Sequence, residues 1–195
     1  EPQPGKFFQR RDGSIWYVSD SGEVAKLRIG TNSESSFRVI HLDQRAAALT
    51  KSSDDKIWVS SGNRFGVIDD EGFVEQTPTN GPARDRIRKM IASRDGGIWV
   101  YEDHGLRKVE GGAWTTTAPM FQPTVGLDEL KFFADNEGGL WVINYGVGLW
   151  HVKPDGSASL LAKQDGLPST LITCWLQDKE GNIWIGLYRN GIDCY

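Results

Sequence analysis

Glu180-Gly-Asn-Ile-Trp184 is the fifth of five closely similar phrases in this chain. The other four copies are Asp12-Gly-Ser-Ile-Trp16, Asp54-Asp-Lys-Ile-Trp58, Asp95-Gly-Gly-Ile-Trp99 and Glu137-Gly-Gly-Leu-Trp141. An acidic residue always stands four positions before the tryptophan, and isoleucine or leucine always stands one before it. Successive tryptophans are 42, 41, 42 and 43 residues apart. Internal repetition with a period near 40 residues indicates a solenoid, a propeller or an array of repeats.

The residues that fill each period are typical of β-strands. In the fifth copy the run Thr170-Leu-Ile-Thr-Cys-Trp-Leu176 is rich in β-branched and aromatic residues, and shorter strands follow at Ile183–Gly186 and Gly191–Tyr195. The fourth copy adds a turn at Lys153-Pro-Asp-Gly156 and an outer strand at Ser157–Leu161. Four short strands per period, joined as an antiparallel meander, form the blade of a β-propeller.

The sequence therefore predicts an all-β protein, a β-propeller with about five four-stranded blades in one segment spanning residues 1–195. The repeats are predicted at approximately residues 7–42, 46–77, 87–117, 129–162 and 170–195. The first strand of the second repeat is predicted at Ala46–Thr50. The fifth repeat lacks its outer strand, and two of the six residues before Phe7 are proline, which cannot donate to a strand ladder. We expect this segment to be part of a larger propeller. The alternative is a five-bladed ring that is closed by pairing of residues 2–6 as an edge strand.

Each residue of the phrase has a structural role. The glycine three positions before the tryptophan, replaced by Asp55 in the second copy, lets a tight turn adopt a positive φ. The acidic residue can accept backbone N–H bonds across that turn. Isoleucine and tryptophan alternate along a strand, so they face different neighbouring blades. A tryptophan buries on the order of 200 Å², and we expect all five to pack in the core rather than to form a platform for a ligand.

Charge and cysteine content exclude several classes of function. The formal net charge is −4, with 22 basic and 26 acidic side chains, whereas nucleic-acid binders carry a basic surface. No run of about 18 apolar residues predicts a membrane span. Cys174 and Cys194 are predicted on strands separated by a third one, roughly 9–10 Å apart, and a disulfide needs Cα atoms within about 7 Å. We expect two free, buried thiols, which leave the redox compartment open.

The end of the chain resembles a known family. Asp165-Gly-Leu-Pro-Ser169, followed by Asp178-Lys-Glu-Gly-Asn-Ile-Trp-Ile-Gly186, is similar to the two-component regulator propeller repeat. The fourth and third copies resemble that repeat well, and the first two resemble it loosely. The resemblance implies a periplasmic or otherwise extracytoplasmic sensor segment of a bacterial histidine kinase or hybrid regulator. Such segments often carry more than five blades, and the resemblance leaves room for a kinase module elsewhere in the full-length protein.

The loops between second and third strands, and the loops entering the next blade, should lie at one end of each blade, where propellers commonly bind ligands. Tyrosine and arginine are favoured at recognition surfaces, and Tyr145, Tyr188 and Arg189 stand where the family pattern has glycine or threonine. The full set of candidate ligand-binding residues is Arg64, Glu102, His104, Tyr145, Tyr188 and Arg189. The alternative interpretation of each is an ordinary exposed loop side chain.

No catalytic constellation is visible in the sequence. His41, His104 and His151 each stand alone, whereas a metal site needs three or four convergent ligands. The chain contains no Gly-x-Ser-x-Gly elbow, no phosphate-binding glycine loop and no Cys-x-x-Cys. We therefore predict no catalytic residue, no metal and no cofactor.

Three functions remain to be separated. The first is a sensor that recognises a small extracellular molecule, an oligosaccharide being one candidate, with the rest of a larger propeller or signalling protein as its partner. The second is a protein–protein interaction scaffold without a small ligand. The third, less favoured, is a propeller lyase or lactonase. No nucleic-acid partner is expected, and a homodimer is left open.

Overall fold

The computed structural model describes residues 7–30, 35–79, 85–119, 121 and 130–194. The strands of these residues form five antiparallel sheets, and a 3-10 turn at Lys163–Asp165 is the helical element among them. The prediction of an all-β chain is confirmed. Each strand pairs with the strand before or after it in sequence, so every sheet is the predicted meander.

The first three sheets have four strands each. The first sheet consists of β1 Phe7–Gln9, β2 Ile15–Val18, β3 Val24–Arg28 and β4 Ser36–Ile40. The second sheet consists of β5 Leu49–Lys51, β6 Ile57–Ser61, β7 Arg64–Ile68 and β8 Phe73–Glu75. The third sheet consists of β9 Ile87–Ala92, β10 Ile98–Glu102, β11 Gly105–Glu110 and β12 Ala113–Ala118.

The fourth sheet has four strands and the fifth has three among the described residues. The fourth sheet consists of β13 Leu130–Ala134, β14 Leu140–Asn144, β15 Gly148–Val152 and β16 Ala158–Leu161. The fifth sheet consists of β17 Ile172–Gln177, β18 Ile183–Leu187 and β19 Gly191–Cys194. The absence of an outer strand within residues 170–194 agrees with the sequence prediction.

One predicted strand begins later than expected. The second sheet starts at Leu49 rather than at Ala46. The hydroxyl of Ser60 accepts the backbone N–H groups of Ala47 and Ala48, at 3.0 and 2.9 Å. The backbone N–H of Ser60 still donates to the carbonyl of Ala48 at 3.0 Å, but the Ala48 N–H is bonded to the Ser60 hydroxyl, so the regular ladder begins at Leu49.

The turns before the tryptophans have the predicted backbone conformation. Gly13, Gly96, Gly138 and Gly181 all have φ between 81 and 99°. Asp55, which replaces glycine in the second copy, also has a positive φ, of 68°. The phrase therefore encodes the same left-handed turn five times, once without glycine.

The cross-strand register gives each sheet two distinct faces. We call the face that carries the tryptophan of the phrase the tryptophan face, and the opposite one the isoleucine face. On the tryptophan face of the first sheet, Trp16 is paired with Phe8, and Val18 is paired with Val24. These residues share one core cluster with Ile57 and other residues on the isoleucine face of the second sheet.

The same arrangement recurs in two further pairs of sheets. Trp58 and Phe65, on the tryptophan face of the second sheet, pack with Ile98 and Val100 on the isoleucine face of the third. The residues that pack between the fourth and fifth sheets are Trp141, Ile143, Leu149, Trp175, Ile185 and Leu187. The prediction that isoleucine and tryptophan contact different blades is confirmed in these three pairs.

Burial of the five tryptophans is unequal. Trp16 and Trp99 are fully buried, and Trp58 and Trp141 are partly buried. Trp184 is 42% exposed. The prediction that all five lie in the core is therefore wrong for Trp184, because no described strand covers the tryptophan face of the fifth sheet.

The two cysteines lie on that same uncovered face. Cys174 is paired with Gly186, and Cys194 is paired with Trp184. Both thiols are free, as predicted, and both side chains are exposed, which contradicts the prediction of burial.

Contacts divide the chain into two compact units. The first comprises Glu1–Ala92 and Gly96–Thr115, and the second comprises Ser93–Asp95 and Thr116–Tyr195. The repeat boundaries given above remain predictions. Among the described residues, none forms a helix long and apolar enough to cross a membrane.

Candidate functional site

Within each unit, turns after second strands lie against loops that enter first strands. In the first unit, His104 of the β10–β11 turn contacts Asp85, just before β9, with Nδ1 and Oδ2 2.9 Å apart. In the second unit, the backbone N–H of Tyr188 donates to the carbonyl of Leu171, just before β17, at 2.8 Å. Both contacts agree with the expectation that these two kinds of loop share one end of a sheet.

The most highly charged of these ends belongs to the third sheet. We call it the third-sheet charged cluster. It consists of Asp85, Arg88, Glu102, Asp103, His104 and Arg107. Arg88 donates its Nε–H to Asp103 at 2.5 Å, and His104 contacts Asp85. The Arg88–Asp103 ion pair and the His104–Asp85 contact therefore hold the tip of the β10–β11 turn against the start of β9.

A third pair lies beneath the turn and is buried. Arg107 donates from Nε and from Nη2 to Oε2 of Glu102, at 2.7 and 2.5 Å, and the two residues are 7% and 4% exposed. The Arg107 guanidinium lies 4.0 Å from the centroid of the Trp114 ring. Its remaining nitrogen, Nη1, is buried and has no hydrogen-bond partner among the described residues. Stacking on the indole thus accommodates a cation whose hydrogen bonds are incomplete.

Burial dominates the electrostatics of this pair. Removal of the Glu102 carboxyl from water raises its pKa, although the hydrogen bond from Arg107 acts in the opposite direction. Burial likewise raises the pKa of Tyr101, the preceding residue on β10. The Glu102 carboxylate is therefore bonded to Arg107 inside the sheet packing, and the exposed part of the cluster is formed by Asp103 and His104.

Arg64 belongs to a different contact network in the first unit. Its guanidinium donates from Nη2 to Asp43 at 3.1 Å and from Nη1 to Glu75 at 3.4 Å. Asp43 precedes β5, and Glu75 ends β8. Arg64 thus connects the entering loop of the second sheet to its outer strand, and the structure does not place it with Glu102 and His104.

In the second unit the structure brings two predicted residues together. Tyr188 and Arg189 form the β18–β19 turn, both are exposed, and the Arg189 guanidinium lies 5.1 Å from the Tyr188 ring centroid. Arg189 has a positive φ of 64°, which is strained for a residue with a Cβ. Tyr145, in the β14–β15 turn, is half-buried. The Tyr188–Arg189 pair presents an aromatic ring and a cation at one exposed turn.

The sequence prediction missed Asp85, Arg88 and Arg107. A usable signal existed for Arg107, which is paired with Val100, the residue after Trp99. The residues at the same register position in the other sheets are Ala25, Gly66, Trp150 and Asp193. Arginine at a position that is small or aromatic in three of the other four sheets indicates a buried charge that needs a partner.

No three His, Cys, Asp or Glu side chains converge as ligands for a metal ion within the described ranges. The predictions of no metal, no cofactor and no catalytic residue remain predictions.

Successive four-stranded meanders that stack face to face define the β-propeller class. Solved structures confirm that fold. Virginiamycin B lyase from Staphylococcus aureus matches with a TM-score of 0.68 at 16% identity, covering 100% of this chain and 71% of that one. An extracellular domain from B. thetaiotaomicron, described as part of a hybrid two component system, matches with a TM-score of 0.64 at 13% identity, covering 97% and 28%.

A third similar structure is PorZ of Porphyromonas gingivalis, an essential surface component of the type-IX secretion system. It matches with a TM-score of 0.60 at 18% identity, covering 95% of this chain and 31% of that one. At these identities the likeness shows the fold alone. This chain spans less than a third of the lengths of the B. thetaiotaomicron and PorZ chains.

The sequence itself matches one family model. Residues 166–189 match the two component regulator propeller. No curated protein matches the chain in sequence. The resemblance stated from the residues is therefore confirmed in the fifth repeat, and the match ends on Tyr188 and Arg189, the exposed pair of the second unit.

Proposed function

We propose that this chain is part of the extracytoplasmic sensor propeller of a bacterial two-component signalling protein, and that it is not itself an enzyme. The match of residues 166–189 to the two component regulator propeller carries this proposal. The extracellular domain from B. thetaiotaomicron, a similar propeller described as part of a hybrid two component system, supports the location.

The ligand proposed for the sensor is a small extracellular molecule, with an oligosaccharide as the leading class. The support is the exposed turn at Tyr188 and Arg189, inside the matched segment. A tyrosine ring offers a flat apolar surface for a sugar ring, and an arginine offers five N–H donors for its oxygens. An oligosaccharide that carries a carboxylate would use both features, because guanidinium pairs well with carboxylate.

A thermal-shift titration with neutral and uronic-acid-containing oligosaccharides tests this proposal. A ligand at about 100 times its Kd stabilises a protein by about 2.7 kcal/mol, which for a chain of this size raises Tm by about 5–10 °C. Tyr188→Ala and Arg189→Ala should each reduce the shift. Phe37→Ala is the matched control, because Phe37 is an exposed aromatic residue on an outer strand, β4, and not in a turn between second and third strands.

Two other outcomes would contradict either the proposed class of ligand or its proposed site. An unchanged Tm across the whole panel would favour a scaffold that binds only protein. A shift that is equally large in Tyr188→Ala, Arg189→Ala and Phe37→Ala would place the ligand elsewhere on the chain. Turnover of a lactone or of a streptogramin-type substrate would contradict the non-enzymatic proposal and favour the lyase or lactonase alternative.

A further inference from the structure

The β18–β19 turn ends on an asparagine that is followed by glycine. Asn190 is the last of the three residues between Leu187 and Gly191, which are register partners in the fifth sheet. Asn190 and Gly191 are both exposed, and Gly191 has a positive φ of 78°. Because Gly191 has no Cβ, its backbone nitrogen is open to close approach by a neighbouring side chain.

The Asn190 side chain is free to make that approach. It forms no hydrogen bond within the part of the chain that the structure describes. The neighbouring Arg189 guanidinium lies 5.1 Å from the Tyr188 ring centroid, so it is engaged with the ring on its other side. Asparagine side chains in turns commonly reach nearby backbone N–H groups. The Asn190 carboxamide can therefore come into contact with the Gly191 nitrogen.

Two other exposed turn asparagines lack one or both of these features. Asn182, in the turn before β18, donates from Nδ2 to Asp178 at 2.9 Å, and the β-branched Ile183 follows it. Asn63, in the β6–β7 turn, is followed by Arg64. In both places the next residue carries a Cβ that shields its backbone nitrogen. These two asparagines are matched references for Asn190.

We propose that Asn190 is a site of spontaneous deamidation through a succinimide formed with Gly191. A base removes the N–H proton of Gly191, and the nitrogen attacks Cγ of the Asn190 carboxamide. A new C–N bond forms, and the side-chain nitrogen leaves as ammonia. Water then opens the five-membered ring at either of its carbonyls, which gives aspartate or isoaspartate at position 190. The net reaction consumes water and releases ammonia, with no oxidation or reduction.

The reaction changes the charge of the turn. Arg189 is the charged side chain among the three turn residues, so the unmodified turn carries a net positive charge. The carboxylate of either product offsets that charge. The isoaspartate product also adds a methylene to the backbone directly before the Leu187–Gly191 pair, where β19 begins. The site lies in the turn that the proposed ligand would contact, but this inference does not depend on the proposed sensor function.

Peptide mapping of aged protein tests the proposal. The native protein is incubated in mildly alkaline buffer, which deprotonates more of the attacking nitrogen, and is then digested with endoproteinase Lys-C at mildly acidic pH. Cleavage after Lys179 leaves Asn182 and Asn190 in one peptide, and tandem mass spectrometry assigns the mass increase to either residue. We expect Asn190 to react at least about tenfold faster than Asn182 and Asn63, because glycine alone leaves the attacking nitrogen unshielded.

A variant links the charge change to this residue. The other Asn-Gly pair of the chain, Asn80-Gly81, lies outside the described residues, so isoelectric focusing is carried out on an Asn80→Gln background. Aged protein should then develop a more acidic band. Asn190→Gln should abolish that band, because the longer glutamine side chain disfavours the five-membered ring and stays neutral. Asn63→Gln is the matched control and should keep the band.

Three results would overturn the proposal. The first is deamidation of Asn190 in native protein no faster than that of Asn182 and Asn63. The second is rapid deamidation of Asn190 in urea but none in the native protein, which would mean that the folded turn holds the carboxamide away from Gly191. The third is an acidic band that persists when Asn190→Gln is added to the Asn80→Gln background.

Discussion

Asp55 shows how a single side chain can take the place of a turn glycine. Its backbone has a φ of 68°, a conformation that costs a residue with a Cβ on the order of 1 kcal/mol. Its carboxylate accepts the backbone N–H of Arg11 at 3.1 Å and contacts Nε of Arg10 at 3.4 Å. It also contacts Nζ of Lys51 at 3.3 Å. These partners lower the pKa of Asp55 although burial acts to raise it. The turn of the second copy is thus strained at Asp55, and the Asp55 side chain in return bonds to the β1–β2 turn of the first sheet.

Substitution of Asp55 tests that exchange. Asp55→Ala should destabilise the protein more than Asp55→Gly, because both variants lose the side-chain bonds but only glycine relieves the unfavourable φ. The midpoint of urea unfolding measures both changes. Gly96→Ala is the matched control for backbone strain, since Gly96 has a φ of 99° and no other atom lies within 4 Å of the place that a Cβ would take. If Asp55→Gly were more stable than the wild type by the whole of the relieved strain, about 1 kcal/mol, the bonds with Arg10 and Arg11 would contribute nothing.

Asp135 gives a pH-dependent contribution to stability. Its side chain is 3% exposed, and burial acts to raise its pKa. The hydrogen bond to His151, with Oδ2 and Nε2 2.9 Å apart, and the N–H groups of Glu137 and Gly139 together hold the pKa below the ordinary value of 3.8. A carboxyl whose folded pKa is lowered stabilises the protein above its unfolded pKa, and this stability is lost as pH falls through the folded pKa.

Asp135→Asn should therefore flatten the acid side of the stability profile. The free energy of unfolding of the wild type should fall more steeply below about pH 4 than that of the variant. Urea unfolding at a series of pH values between about 3 and 6 measures the difference. Glu71→Gln, at an exposed turn residue, is the control and should keep the wild-type slope. Parallel profiles for the wild type and Asp135→Asn would show that this carboxyl is not the source.

The acidic residues of the turns show where single-sequence reasoning succeeds and where it stops. Asp12 accepts the backbone N–H of Ser14 at 2.9 Å, as the phrase predicts. In the fourth and fifth copies, Asp135 and Asp178 fill this role, two positions earlier than Glu137 and Glu180. The pattern predicts that the turn needs a carboxylate. Side-chain length and turn geometry decide which of two nearby acidic residues supplies it.

At the scale of one element, the third sheet contains a buried ion pair that is expensive to break. Loss of one partner of such a pair costs about 3–5 kcal/mol, because the remaining charge is left buried without compensation. Glu102→Met should destabilise the protein by about this amount, since the Arg107 guanidinium already has one unsatisfied nitrogen. Chemical denaturation of the variant measures the loss.

The double variant Glu102→Met with Arg107→Met is the internal control. Replacement of both charges by apolar side chains is often neutral or stabilising, so the double variant should be more stable than Glu102→Met alone. A double variant as unstable as the sum of the two single variants would mean that the charges contribute independently. The pairing of Glu102 with Arg107 would then add no stability to the third-sheet charged cluster.

Strand positions were predictable because they depend on local pattern. Alternation of apolar residues and the recurring Gly-x-Ile-Trp turn place the strands predicted at residues 157–161, 170–176 and 183–186 within two residues of their observed ends. β5 is the clearest exception, because the Ser60 hydroxyl accepts the Ala48 N–H that would have continued the ladder. A side chain that bonds to a backbone N–H does not change the periodic pattern of apolar residues, so this pattern cannot predict where such a bond ends a strand.

At the scale of the whole molecule, the fold was predictable and the candidate site was only partly so. The same strand and turn pattern occurs in five copies, so a wrong strand prediction in one copy can be corrected by comparison with the other four. The candidate site lies in turns whose sequences differ between copies, so the prediction for each turn depends on that one sequence alone. His104 and the Tyr188–Arg189 pair were predicted from their loop positions and residue types and stay predictions as binding residues, whereas Arg107 acquires its role only through the Glu102 carboxylate and the Trp114 ring.

The repeated architecture also predicts how the stability of the whole chain is distributed. When each repeat contacts only its neighbours, stability is approximately a sum of sheet-to-sheet interfaces. The same residue type at the same register position should then contribute according to whether its interface is occupied. Trp16→Ala should cost about 3–5 kcal/mol, because the ring is fully buried against the second sheet.

Trp184→Ala should cost less than about 2 kcal/mol in the 195-residue chain. Its ring is 42% exposed, and the main specific interaction that the variant removes is the hydrogen bond from Nε1 to Asp178, at 2.9 Å. Urea unfolding of the two variants, fitted with a common slope, gives the difference directly. Equal losses of stability would show that stability is shared evenly over the whole chain and does not follow the occupancy of individual interfaces.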